Sequence, residues 1–251
     1  MSTDPAQQDT CSLIQHETVS ILAHQLRTSL AASKWILKMF QDGDVGELTA
    51  EQRGFIDKAY SANERMIALV SEMLEIAKVG ESNSTLDLVP HSIVELIDDS
   101  LFDFTSESYK RGVEIIFLRP ETEIPALPFD WAKMRFVMQN LIENAIKYSE
   151  QGDRVVIAIE RHNDHEIEVS VKDTGIGIPE DEQVKIFERY FRANNAKKKE
   201  EMGTGLGLYT AKHIIEQHMG TMGFESKVGT GTTFFFTLPT GKKSHSVVGM
   251  V

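Results

Sequence analysis

The chain has 251 residues, 41% hydrophobic and 25% charged, a balance typical of soluble globular proteins and long enough for one large or two modest domains. Lys and Arg number 26 against 38 Asp and Glu, so the net charge is −12; general nucleic-acid binding is disfavoured, and an anion site must gather its basic residues locally. One cysteine, Cys11, excludes an intrachain disulfide and a multi-cysteine zinc site and fits a reducing, cytoplasmic compartment, while no apolar run reaches the ~18–20 residues of a membrane span and the polar start is no signal peptide, so no membrane contact by this chain is expected, whether or not a longer parent is anchored.

Residues 11–80 read as two long helices joined by the glycine-containing stretch Asp42–Leu48. The first offers Val19, Leu22, Leu26, Leu30, Ile36 and Phe40. The second opens on Thr49-Ala-Glu-Gln52, a capping box whose Thr and Gln side chains can satisfy free backbone N–H groups. It carries one apolar stripe at Phe55, Ala59, Ala62, Met66, Leu69, Met73 and Ile76, and a second at Ile56, Tyr60, Ile67, Val70 and Leu74. So broad a face needs two neighbours, and an antiparallel hairpin supplies one. The expected solution is a homodimer that closes a four-helix bundle.

A polar linker, Gly80–Thr85, leads into residues 85–241, where the pattern becomes mixed α/β. The expected order is a strand near Leu86–Val89, a helix over Ser92–Lys110 and a strand at Val113–Leu118. The helix Asp130–Ser149 follows, with Asp130 as its N-cap. Alternating strands Val155–Ile159 and Glu166–Lys172 meet across a turn near His162–Asp164. After a glycine turn and a lysine-rich loop come the helix Leu206–Met219 and the strand Thr232–Leu238. The fold class is α+β: a helical hairpin followed by an α/β domain.

Three segments carry chemistry. Asn140, Asn144 and Lys147 fall along one side of a helix, while their neighbours Leu141, Ile142, Ala145 and Ile146 can pack elsewhere. An Asn carbonyl suits Mg²⁺, which keeps waters and phosphate oxygens as its remaining ligands; Lys147 suits a phosphate and Tyr148 a base. A capped, solvent-facing helix is the alternative for this segment alone. Asp173-Thr-Gly-Ile-Gly177 follows a strand, and Gly175 and Gly177 permit close backbone approach, while the acid can accept a hydrogen bond from an adenine amino group. A plain strand-to-helix turn is the alternative there. Gly203-Thr204-Gly205-Leu206-Gly207-Leu208 opens a helix, so free N–H groups and the helix dipole point towards an anion. Before it, Arg189, Arg192 and Lys197–Lys199 suit a lid over phosphates, and each lysine alone also suits a solvated loop.

In order, with Phe187, Phe191 and Gly229–Thr232, these segments resemble the N box, first G box, F box, second G box and terminal glycine motif of the histidine-kinase ATPase domain, an ATP-binding sandwich of Bergerat type. The resemblance covers roughly residues 11–240. It implies Asn144 as the Mg²⁺ ligand, Asn140 and Lys147 beside the phosphates of ATP, Asp173 reading adenine, and Gly203–Leu208 anchoring a lid. The stretch Ile21–Leu30 resembles the same family's H box, which makes His24 the phosphoacceptor; the remaining histidines lack its setting, and His213 and His218 read as structural.

The H box departs from the family pattern twice. Ser29 stands where proline is usual, so the bend that proline imposes should be weaker. Gln25 stands where an acid is usual; it can accept a hydrogen bond but brings no charge and no base, and general-base help is worth roughly 10²–10⁴ in rate. A slower, not abolished, autophosphorylation is expected, because phosphoryl transfer rests mainly on positioning and charge stabilisation. Thr28 matches the position that the family uses to orient water when it dephosphorylates its partner. The resemblance thus implies a dimeric ATP-dependent histidine kinase with a response-regulator receiver domain as partner. An ATP-driven machine of the gyrase or chaperone kind, with Glu143 as its acid, and a scaffold with a vestigial ATP site remain as alternatives.

Overall fold

The computed structural model describes residues 25–80, 86–163, 165–200 and 203–240. His24, Cys11, Val19 and Leu22 lie outside the described residues, as do Asp164, the tail from Gly241, and the side chains of Leu69, Met73, Leu74 and Ile76. The chain divides into two compact units between Ser84 and Thr85.

The first unit is an antiparallel hairpin. Helix α1 is described over 25–42 and α2 runs Ala50–Gly80. The capping box forms as its residue types require: the Thr49 N–H donates to the Gln52 side chain at 2.9 Å, and the Gln52 N–H donates to the Thr49 hydroxyl at 3.2 Å. Four cross-links set the register between the helices. The Asn63 amide donates to the Leu30 carbonyl at 2.9 Å, Lys34 pairs with Glu64 at 2.9 Å, Gln41 donates to Asp57 at 2.8 Å, and Arg53 reaches the Gln41 carbonyl at 3.4 Å. The helix runs unbroken through Ser29, whose hydroxyl donates to the Gln25 carbonyl at 3.1 Å. Of the two stripes expected on α2, the one containing Ile56, Tyr60, Ile67 and Val70 is partly or fully buried, and Leu30 packs against Val70. The other leaves Phe55 and Met66 exposed, with Leu26, Trp35 and Ile36 exposed on α1.

The second unit layers helices on a mixed five-stranded sheet of order β2-β4-β5-β7-β6. Its elements are β1 (Val89–His91), α3 (Ile93–Arg111), β2 (Glu114–Leu118), β3 (Leu127–Phe129), α4 (Trp131–Tyr148), β4 (Arg154–Asn163) and β5 (Glu166–Asp173). A 3₁₀ turn (Glu180–Lys185), α5 (Asn194–Lys199), α6 (Gly207–Gln217), β6 (Met222–Lys227) and β7 (Gly231–Pro239) complete it. Among the described strands only β2 and β4 pair in parallel. Helix α4 packs between α3 and α6 and over β4 and β5. Its residues Met134, Val137, Met138, Leu141, Ile142, Ala145 and Ile146 are buried, as are Val155, Ile157, Val169 and Val171 of the strands it covers. Each of these side chains larger than Ala145 contributes about 1.5–3 kcal/mol on burial, so α4 is the spine of the domain.

Several expected boundaries move. The first strand lies at Val89–His91, not Leu86–Val89, because it pairs with Leu127–Phe129, a three-residue strand containing a proline that no local pattern announces. Strand β4 runs four residues past Ile159 along β5. Strand β6, broken in pattern by Gly223, forms because β7 templates it.

Candidate nucleotide site

Three elements bring the site together, and α4 is common to all of them. Asp130 caps α4 by accepting from the Lys133 N–H at 3.1 Å, and its own N–H donates to Nε2 of buried His218 at 3.0 Å. The other ring nitrogen of His218 lies 2.7 Å from the Ile214 carbonyl, so the imidazole is neutral with its proton on Nδ1. Burial holds the His218 pKa below its usual value. This histidine ties the end of α6 to the start of α4, a structural role that fixes how α4 presents Asn140, Asn144, Lys147 and Tyr148, all half-buried on one side.

At the C-terminal end of α4 the first glycine loop is pressed against the helix. The Ile176 N–H donates to the Tyr148 carbonyl at 3.1 Å, and a Cβ at Gly175 would lie 2.3 Å from that oxygen. Gly177 has φ +66 and leaves no room for a Cβ beside the Lys227 carbonyl. The later glycine motif locks onto the same loop: the Gly229 N–H donates to the Ile176 carbonyl at 3.0 Å. Within this knot Asp173 is buried. Its Oδ1 accepts from the N–H groups of Gly175 at 2.9 Å and Thr232 at 3.1 Å. Burial raises its pKa to about 6, and the two amide bonds pull in the opposite direction without cancelling the rise. With Oδ1 engaged, Oδ2 is the oxygen available to a donor such as an exocyclic amino group.

The second glycine loop meets α4 farther back. A Cβ at Gly207 would lie 1.8 Å from Oδ1 of Asn140, so the helix start and the asparagine are in direct contact. Asn140 Nδ2 donates to the Phe136 carbonyl at 3.3 Å. Gly205 has φ +71 and sits against Tyr190 and Phe191, its carbonyl accepting from the Tyr190 N–H at 2.9 Å. The Thr204 hydroxyl accepts from the Leu206 N–H at 3.1 Å; Leu206 is buried, and Leu208 lies half-buried in the first turn of α6. Among the described residues no side chain caps α6, which leaves its first-turn amides for an anion.

The arrangement fits a magnesium nucleotide. Asn144 makes no side-chain hydrogen bond among the described residues, so its half-buried amide oxygen remains available to a hard cation. Lys147, one turn on, is available to phosphate oxygens. The two arginines separate. Arg192 lies in the lid, where its guanidinium donates to the carbonyls of Gly203, at 3.3 Å, and Glu200. Arg189 is held on α6, donating to the Tyr209 hydroxyl at 2.6 Å with its guanidinium 4.5 Å from that ring centroid. Burial raises the Tyr148 phenol, and the Arg192 guanidinium opposes that rise. Gln25 and Thr28 are exposed on α1. Among the described residues no helix is long and apolar enough to cross a membrane, and no His, Cys, Asp and Glu group is arranged to hold a metal by itself.

Sequence reasoning overlooked the partners of the lid. Asn195 donates to the Gly177 carbonyl at 2.7 Å, and the backbone N–H of Asn194 donates to Glu182 at 2.9 Å. Lys199 faces Glu150, and Glu200 faces Arg111. Nothing in their spacing marks these pairs, because each joins segments far apart in the chain.

Two family models match. Residues 14–82 match the His Kinase A (phospho-acceptor) domain, and residues 130–242 match the histidine kinase-, DNA gyrase B- and HSP90-like ATPase. The chain is 33% identical over 240 residues to the sensor histidine kinase WalK of Bacillus subtilis, covering 94% of this chain and 38% of that protein. It is 27% identical to the sensor protein SrrB of Staphylococcus aureus, covering 90% of this chain and again 38% of the relative. The crystal structure of full-length ShkA in complex with AMPPNP superposes with a TM-score of 0.72 at 26% identity, over 89% of this chain and 45% of that one. The chain therefore spans less than half the length of these relatives.

Proposed function

The chain carries the paired phosphoacceptor and ATPase domains of a sensor histidine kinase catalytic core, and on that premise we propose that it is an ATP-dependent kinase that phosphorylates its own His24. The observation that supports this reading best is the buried Asp173 carboxylate, clasped by two glycine-motif amides at the end of the asparagine-bearing helix. A charge placed in an apolar interior is costly unless it serves a ligand.

In this reading the adenine amino group donates to Oδ2 of Asp173, and the phosphates run back along α4 towards the amides that open α6. Asn144 would hold Mg²⁺, which supplies neutralising charge to the triphosphate; Asn140 and Lys147 orient its oxygens, and Arg192 closes from the lid. One imidazole nitrogen of His24 attacks the γ-phosphorus, the bond to the bridging oxygen breaks, and ADP departs with that oxygen. The other nitrogen keeps its proton, which Gln25 can hold only through a neutral amide oxygen. The phosphoryl group then passes to an aspartate of a response-regulator receiver domain. Thr28 orients water for the reverse duty, removing phosphate from that partner. Exposed Phe55, Met66, Leu26 and Ile36 supply the dimer face.

Incubation of the purified chain with radiolabelled ATP tests the reading. Acid-labile, base-stable label that disappears in His24→Gln, with nucleotide affinity unchanged, is the expected result. Equal labelling of His24→Gln would overturn it. Thr28→Ala should leave labelling intact and slow phosphate release from the partner; unchanged release removes Thr28 from that role.

A further inference from the structure

Resting on the reading of Asp173 as the group that meets the adenine amino group, we propose that Ser226, near the end of edge strand β6, is the positioning residue that holds the Asp173 carboxylate in line for that contact. Ser226 belongs to none of the glycine or asparagine motifs.

The clasp on Asp173 has two jaws from different parts of the chain. One is the Gly175 N–H in the first glycine loop, and the other is the Thr232 N–H where β7 begins. Both close on the same oxygen, Oδ1, so the direction of Oδ2 depends on how far apart the loop and the strand are kept. The Ser226 hydroxyl bonds to both. It accepts from the Ile178 N–H of the loop at 2.8 Å, and it lies 2.8 Å from the Thr232 hydroxyl and 3.2 Å from the Gly231 carbonyl. One assignment fills all of these contacts: Ile178 and Thr232 donate to Ser226, and Ser226 donates to Gly231. A hydroxyl with its proton and both lone pairs engaged has one orientation, which makes it a fixed spacer.

A serine facing a threonine across two antiparallel strands is an ordinary cross-strand pair, and Ser226 is the registered partner of Thr232. Two observations take it beyond that. Its bond to Ile178 leaves the sheet and spans 48 positions of chain. Gln183 seals the same junction, its Nε2 donating to the Ile178 and Ser226 carbonyls, each at 3.1 Å. Ile178 is thus gripped at its N–H by Ser226 and at its carbonyl by a side chain that also holds Ser226. Without the hydroxyl, the Ile178 N–H loses its acceptor and Thr232 its side-chain anchor. The two amides can then separate, and Oδ1 is held by one of them at a time.

Purine riboside triphosphate, which is ATP without its 6-amino group, isolates the contact. In calorimetric titrations of the full chain, Ser226→Ala should weaken ATP binding by about three- to tenfold, the loss expected when one hydrogen bond is misaligned. Affinity for purine riboside triphosphate should not change, so the advantage conferred by the amino group shrinks by the same factor. Ser226→Thr keeps the hydroxyl on a residue suited to a strand and should restore that advantage. Ser226→Cys keeps the bulk with weaker hydrogen bonding and should show a smaller loss of the same kind, so the role stays testable if the alanine variant does not fold. Equal weakening of both nucleotides would make Ser226 merely structural, and that result or an unmoved ratio would overturn the positioning role. If the unaltered chain bound both nucleotides alike, the adenine reading of Asp173 would fall and this inference with it. A clear preference for ATP that Ser226→Ala leaves intact overturns this inference alone.

Discussion

The two halves of this chain treat their apolar side chains in opposite ways. In the ATPase domain the inward residues of α4 and alternate residues of β4, β5 and β7 disappear into one core. In the hairpin, Phe55 and Trp35 keep 63% and 66% of their surface, and among the described residues only Asn63 and Val70 are buried. The C-terminal domain therefore closes its own core, whereas the hairpin leaves several large apolar side chains exposed, of the kind that mark an interaction surface. Its register is set by polar links such as Asn63 to Leu30 and Lys34 to Glu64, which specify a pairing more than they stabilise it.

The sharpest way to probe the contrast is where the ATPase domain breaks its own rule and buries a charge. Asp173→Asn should lower nucleotide affinity by about 10²-fold, since a charge-assisted hydrogen bond is lost and two amino groups then face each other. The same change should raise stability at pH 7.5. The native carboxyl titrates at about 6 against 3.8 unfolded, so the folded state takes up a proton more readily. Wild-type stability from this group falls as pH rises from 3.8 to about 6 and stays low above, a cost of ~3 kcal/mol that asparagine removes. Calorimetry should show a higher Tm and no further rise with ATP; a lower Tm at pH 7.5 contradicts the account.

On the hairpin side, Phe55→Glu places a charge on the face that lacks a neighbour. Each copy loses about 1.5–3 kcal/mol of burial, and a symmetric dimer loses it twice. Sedimentation should report a monomer while the ATPase-domain transition stays where it was. A persistent dimer would move the interface elsewhere. Gln25→Glu is a smaller step in the same domain: it restores a carboxylate beside His24 and should speed labelling roughly tenfold or more. No acceleration removes position 25 from the chemistry.

The smallest expected effect lies in the buried link between α6 and α4. His218 is neutral when folded and its pKa is lowered by burial. The unfolded chain therefore binds the proton first, so the stability this group supplies is complete above about pH 6.5 and declines as pH falls below it. The thermal transition of the ATPase domain measured from pH 7.5 to 6 should show this decline, and His218→Gln should flatten it. An identical slope in both proteins would assign the acid sensitivity to other groups.

Much of this was legible in the residues themselves. The capping box at Thr49–Gln52 and the N-cap at Asp130 are fixed by bonds within a few residues of chain, and the alternation along β4 and β5 is likewise a local pattern. The glycine motifs were readable for the same reason, since a positive φ at Gly177 or Gly205 leaves glycine as the residue of choice. Other elements had no local signal. Strand β3 exists because Val89–His91 pairs with it, and β6 because β7 does.

The sequence by itself therefore determined the order of the two domains, the glycine-rich turns and the amphipathic faces, because periodicity and turn chemistry act over a few residues. Only the tertiary structure decided that Asp173 is shared by the Gly175 and Thr232 amides, that His218 anchors α4, that Arg189 is taken by Tyr209, and that the lid rests on Arg111 and Glu150. Apart from the local Asp173–Gly175 bond, those contacts join residues tens of positions apart, and their partners are chosen by how the sheet and helices pack, which no short stretch of chain encodes.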